Sequence, residues 1–156
     1  MRKARIVILI GIVFVTVIFI WSNSLQSSSE SQARSLHFLS MMKPILEPIV
    51  GVGNVTDHLV RKLAHFVEYG VLGSELVLLL ISIRKIRLQS IANCLFGGMA
   101  VALVDETIQI FNGRGSQVQD VWLDFAGVVS GMLIVLLIDG ITAKIRKAKA
   151  KRTPAA

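Results

Sequence analysis

Arg61, Lys62, His65 and Glu68 open one strongly apolar stretch of this 156-residue chain; Asp105, Glu106 and Gln109 close the next, and Asp120 and Asp124 open the last. Ionisable groups are expensive in a bilayer, about 2.5–3.5 kcal/mol each on insertion scales, and persist where they pair or serve a function. Arg61, His65, Glu68, Leu72 and Glu75 recur at helical spacing and share one face, with Lys62 and Tyr69 beside it. Asp105 and Gln109 share a face, with Glu106 about 100° away. Asp120, Asp124, Gly127 and Gly131 form a third face, and the two glycines, four apart, let another helix approach closely.

Such a set suits several chemistries. Carboxylates with a histidine can hold a divalent cation through oxygen and nitrogen. Arginine and lysine can clamp a phosphate. A histidine beside a glutamate can act as acid or base near neutral pH. The assignment expected here puts Arg61, Lys62 and Arg114 nearest the water, holding an anionic headgroup that Tyr69, Gln109 and Asp124 also line. His65, Glu68, Asp105, Glu106 and Asp120 would then bind a cation or move protons beneath it. The bland alternative is that pairs such as Arg61–Glu68 or His65–Asp105 neutralise each other and glue helices together. One pair fits that role; this many polar groups at one depth exceed what helix pairing needs. Glu75, near mid-span, is expected to be neutral or paired with Asn93 or Cys94, and Asp139 to face water. No Walker A, GxSxG or HExxH string is present.

The elements that must position these groups are membrane helices. The chain is 53% hydrophobic with mean hydropathy +0.67, too apolar for a typical soluble domain. Apolar runs cover about 6–21, 63–83, 91–111 and 121–141; the last three have the length a spanning helix needs. The first is shorter, with Trp21 suited to an interface. It also fits the apolar region of a signal peptide, but it exceeds the usual length and Ser22-Asn23-Ser24 lacks alanine, so a retained anchor is expected. The fold expected is an all-α integral membrane bundle of four transmembrane helices, a single domain over 1–156. A short extracytoplasmic amphipathic helix over Glu30–Met42 would follow an irregular Ser22–Ser31, with Ser29 and Gln32 as a capping box and Pro44 as its stop. Pro48 and Gly51-Val52-Gly53 would turn the chain into the second span, which Thr56 or Asp57 can cap. The 22–60 segment is expected to lie over the site as a lid.

The net charge of +7 does not indicate nucleic acid, because the basic residues flank apolar runs as topology signals do. Twelve of the Lys and Arg residues fall at the N-terminus, in the 84–87 linker and in the 142–156 tail, against five on the other side. The expectation is a membrane protein with both termini in the cytoplasm and its site facing outward. The basic tail would lie against anionic lipid. Cys94, the one cysteine, excludes an intrachain disulfide and a cysteine-based zinc cluster.

The stretch Arg61-Lys62-Leu63-Ala64-His65-Phe66-Val67-Glu68-Tyr69-Gly70-Val71-Leu72-Gly73 resembles the first signature of the VanZ-like family. Asp105-Glu106-x-x-Gln109-x-Phe111-x-x-Arg114, followed by Asp120-Val121-x-x-Asp124-x-x-Gly127, resembles the second. Position 124 is Asp in this chain where the family often has Asn, and Glu75 is outside the family pattern. The resemblance implies a bacterial envelope protein, multi-pass in the bacterial cytoplasmic membrane, of a family named for a teicoplanin-resistance factor. It does not supply a reaction, so whether the chain is an enzyme stays open. Three functions remain in view: a factor lowering susceptibility to lipoglycopeptide antibiotics, a membrane enzyme on a phosphorylated or glycosylated lipid, with or without a divalent cation, and a lipid transporter or flippase. Each takes a membrane lipid or lipid-linked envelope component as partner.

Overall fold

The computed structural model describes residues 2–26, 28–113, 115 and 117–152, apart from the side chains of 28–35, 37, 151 and 152. Its elements are five helices: α1 (Arg2–Ser24), α2 (Ser28–Val50), α3 (Asp57–Ile83), α4 (Leu88–Phe111) and α5 (Val118–Arg152). The described residues contain no strand. Helices α1, α3, α4 and α5 are each long and apolar enough to cross a membrane. Each extends beyond its apolar run, because Lys, Arg and Gln propagate a helix where hydropathy has already fallen.

The 22–60 segment departs from expectation. Ser22–Ser24 continue α1 rather than forming an irregular stretch, with Ser22 Oγ donating to the Phe19 carbonyl at 2.8 Å. That bond satisfies the hydroxyl within the helix. Helix α2 outruns Glu30–Met42 at both ends and passes through Pro44 and Pro48 to Val50. Proline fixes a φ that a helix accepts, and each one forfeits a single backbone bond. The capping-box side chains, Ser29 and Gln32, lie outside the described residues. The chain turns at Gly51 and Gly53, whose φ values of +94° and +84° lie in the left-handed region that glycine tolerates. Thr56 then caps α3, its side chain accepting from the Leu59 amide at 3.2 Å.

Arg2 sets the relative direction of α1 and α3. Its guanidinium donates to the carbonyls of Ser82 and Ile83 at 3.1 and 3.2 Å, placing a cation at the C-terminus of α3. The end of α1, the start of α3, the end of α4 and the start of α5 therefore gather at the opposite end of the bundle, called the site end below. Toward the core α1 presents Val13, Thr16, Val17, Ile20 and Ser24, a single helical stripe. Trp21 does not sit free at an interface: its indole N–H donates to the Val101 carbonyl of α4 at 3.3 Å.

Helices α3 and α5 pack closest, and small residues are the reason. A Cβ on Gly131 would collide with the Gly70 carbonyl, and one on Gly73 with the Val128 carbonyl. Ser74 Oγ donates to the Gly70 carbonyl at 2.9 Å and lies 3.2 Å from that of Gly131, tying the two backbones together. Tyr69, Leu72, Val77, Ala102, Val128 and Met132 form the core with Ile20.

Candidate functional site

The close α3–α5 approach brings the N-terminal parts of both helices together, and the end of α4 closes the third side. A cavity of about 40 Å³ opens here, lined from α3 by His58, Arg61, Lys62 and His65. Glu106 and Gln109 of α4, Gly115, and Asp120, Leu123 and Asp124 of α5 complete it. No described side chain of α2 is among the residues lining it, whereas His58, from the end of the 22–60 segment, is.

The cavity is layered. At the mouth His58 is exposed, and Arg61 and Lys62 are half-buried. Lys62 Nζ lies 2.8 Å from Asp120 Oδ1, an ion pair joining α3 to α5. Beneath it lie acids withdrawn from water: Asp105 and Asp124 are 0% and 1% exposed, and Glu106 is 4% exposed. His65 stands between two of them, its Nδ1 3.7 Å from Asp105 Oδ2 and 3.6 Å from Asp124 Oδ1. Both distances are longer than an ordinary hydrogen bond but within ion-pair reach, so the ring stands between the two carboxylates as their shared neighbour.

Gln109 organises the floor. Its Nε2 lies within hydrogen-bonding distance of Asp105 Oδ2 (3.2 Å), Glu106 Oε1 (3.3 Å) and Ser24 Oγ (3.2 Å), three acceptors that share its two hydrogens. Asp105 and Glu106, though about 100° apart on α4, are thus turned toward one amide. Glu68 takes a different place: it accepts from Asn23 Nδ2 of α1 at 3.3 Å, at the edge of the cluster. Tyr69 is wholly buried, and its hydroxyl has no hydrogen-bond partner among the described residues. Arg114 lies outside the described residues.

The pairings expected from sequence are redistributed. Arg61 makes no ion pair with Glu68 among the described residues. His65 faces Asp124 as closely as Asp105. Glu75 is paired with neither Asn93 nor Cys94; Thr16 Oγ1 of α1 donates to its Oε1 at 2.9 Å. The first helix packs directly on α3 and supplies that donor before α4 can. Asp139 is exposed.

Three contributors escaped the sequence reading. His58 had a visible signal, since 58, 61 or 62, and 65 fall on one face once α3 begins at Asp57. Asn23 and Ser24 had none: a Ser-rich segment beyond an anchor gives no sign that it is buried against α4. Asn112 Nδ2 also donates to the Ser24 carbonyl at 3.2 Å, fixing the end of α1 against the end of α4.

A family model described as VanZ/LLP1 matches residues 6–139. That span takes in every polar group of the cavity. No curated protein and no solved structure matches the chain.

Proposed function

This chain belongs to the VanZ/LLP1 family, and from that premise we propose that it is a cell-envelope membrane protein engaging the anionic headgroup of a lipid or lipid-linked component. By doing so it lowers bacterial susceptibility to lipoglycopeptide antibiotics of the teicoplanin type. The observation that carries this reading is the layering of the cavity: basic His58, Arg61 and Lys62 at the mouth over the buried acids of α4 and α5. A guanidinium and an ammonium at a bundle end suit a phosphate lying at the membrane surface. The split of basic residues supports placing that end outside and both termini in the cytoplasm.

A second reading is a membrane-embedded enzyme acting on the same headgroup. It draws support from His65, held between Asp105 and Asp124 where a group that exchanges protons near neutral pH belongs. A flippase has less support. Toward the tail end the buried polar side chains thin to Glu75 and Ser82.

The deciding experiment compares envelope lipids and teicoplanin susceptibility in cells lacking the protein, carrying it, or carrying Glu68→Gln. The expected result is a changed lipid or lipid-linked species and a susceptibility shift with wild type only. Identical lipids and identical susceptibility in all three strains would remove the reading. A new lipid product formed by purified protein in detergent would select the enzyme over the binder.

A further inference from the structure

We propose that His65, Asp105, Glu106 and Asp124 form the binding site for one divalent cation. Each offers one ligand atom, and these atoms lie within 4.8 Å of one another. Metal–ligand distances run from about 2.0 Å for Mg²⁺ and Zn²⁺ to about 2.4 Å for Ca²⁺. Two ligands of a single ion therefore stand at most about 4–5 Å apart. Donors from three helices meet that limit here. The separations of 3.6 and 3.7 Å around His65 are longer than ordinary hydrogen bonds and suit neighbouring ligands of one ion.

Buried polar groups point the same way. Asp124 is 1% exposed, and neither of its carboxylate oxygens has a hydrogen-bond partner among the described residues. Its neighbour across the cluster is His65 Nδ1. The Tyr69 hydroxyl, also buried, has no hydrogen-bond partner among the described residues. A carboxylate withdrawn from water demands a counter-charge. Among the described residues, the charge-bearing group within ion-pair distance of Asp124 is His65.

The surroundings resemble those of a ligand set. Gln109 donates to Asp105 and Glu106 together, the kind of outer hydrogen bond that orients first-coordination carboxylates. Three oxygens and one imidazole nitrogen suit Mn²⁺, Mg²⁺ or Zn²⁺ rather than a thiolate-seeking ion. The cavity of about 40 Å³ has room for an ion with a water molecule, while a lipid headgroup must stay at the mouth. Arg61 and the cation would then hold a phosphate from two sides. That task, though not the binding of the ion, rests on the headgroup reading above.

The test uses the full-length protein in detergent, stripped with a chelator and titrated with Mn²⁺. Binding is followed by the loss of free-ion paramagnetic resonance signal and by metal content after gel filtration. One saturable Mn²⁺ per chain is expected, with a rise in Tm on binding. Asp124→Asn and Glu106→Gln should each weaken binding at least tenfold, while Asp139→Asn, an exposed acid on the same helix as Asp124, should bind as wild type. Each variant is first shown to keep wild-type helicity and elution, and Glu106→Gln serves if Asp124→Asn does not fold. Absence of stoichiometric binding, or equal affinity in wild type and both variants, would overturn the proposal. No lipid is present, so the outcomes separate: bound Mn²⁺ without any envelope change removes only the headgroup reading, and an envelope change without Mn²⁺ binding removes only the cation site.

Discussion

Lys62 Nζ sits 2.8 Å from Asp120 Oδ1, bridging the second turn of α3 and the first turn of α5 above the buried acids. Both side chains are less than one-third exposed. Because α3 and α5 are already held by their glycine contact, this pair tunes the mouth rather than building the bundle. Lys62→Ala and Asp120→Ala should each lower stability, and a double-mutant cycle should give a coupling of about 1 kcal/mol. Thermal melts in detergent of the two single variants and the double measure it; strictly additive losses would mean that the pair does not couple the helices.

The glycine contact itself should be intolerant of a single methyl group. Gly131→Ala sets a Cβ against the Gly70 carbonyl and is expected to cost about 1–3 kcal/mol. Gly97→Ala, where nothing lies within 4 Å of the added Cβ, should be neutral or slightly stabilising. Denaturation by SDS titration ranks the two. A Gly131→Ala protein as stable as wild type would contradict the packing described.

Thr16 and Glu75 form a polar contact away from the cavity. Thr16→Ala should destabilise by about 1 kcal/mol, because it strips the Oε1 partner from a buried glutamate. Adding Glu75→Leu to Thr16→Ala should recover most of the loss, since it removes the stranded group. If the double variant is less stable than Thr16→Ala alone, Glu75 has a role beyond this bond.

Orientation is open to chemical labelling. With Cys94 replaced by alanine, a cysteine introduced at Ile86, in the α3–α4 connection, should be shielded from an impermeant reagent added outside. One at Val52, 86% exposed beside the turn into α3, should react. Outside labelling at position 86 would invert the bundle and put the cavity in the cytoplasm.

The polar cluster should prove functional as a set. Glu68→Gln, Asp105→Asn and His65→Ala should each abolish the envelope phenotype while expression and membrane insertion stay near wild type. Full phenotype in all three would make the cluster helix glue and move the search for a site to the 22–60 segment.

What the sequence determined by itself is the set of helices and the depth of their polar groups. Four apolar runs fix four candidate spans, because only a helix satisfies its own backbone in hydrocarbon. Short connections reverse the chain between α3 and α4 and between α4 and α5, which brings His65, Asp105 and Asp124 to one end. Helical periodicity likewise marks the face each occupies, and Gly127 with Gly131 announced a close approach. Periodicity does not say which helix stands opposite that face. Only the tertiary structure decided that Gly70 and Gly73 receive α5, that Thr16 rather than Asn93 or Cys94 meets Glu75, and that Asn23 reaches Glu68. It also decided that Lys62 engages Asp120 and that Gln109 gathers two carboxylates and Ser24. The extent of α2 was hidden for a related reason: Pro44 and Pro48 read as stops, yet a proline removes one local bond and leaves a helical φ in place. These outcomes depend on which surfaces pack, and packing is settled by shape across the bundle rather than by the order of residues along one helix.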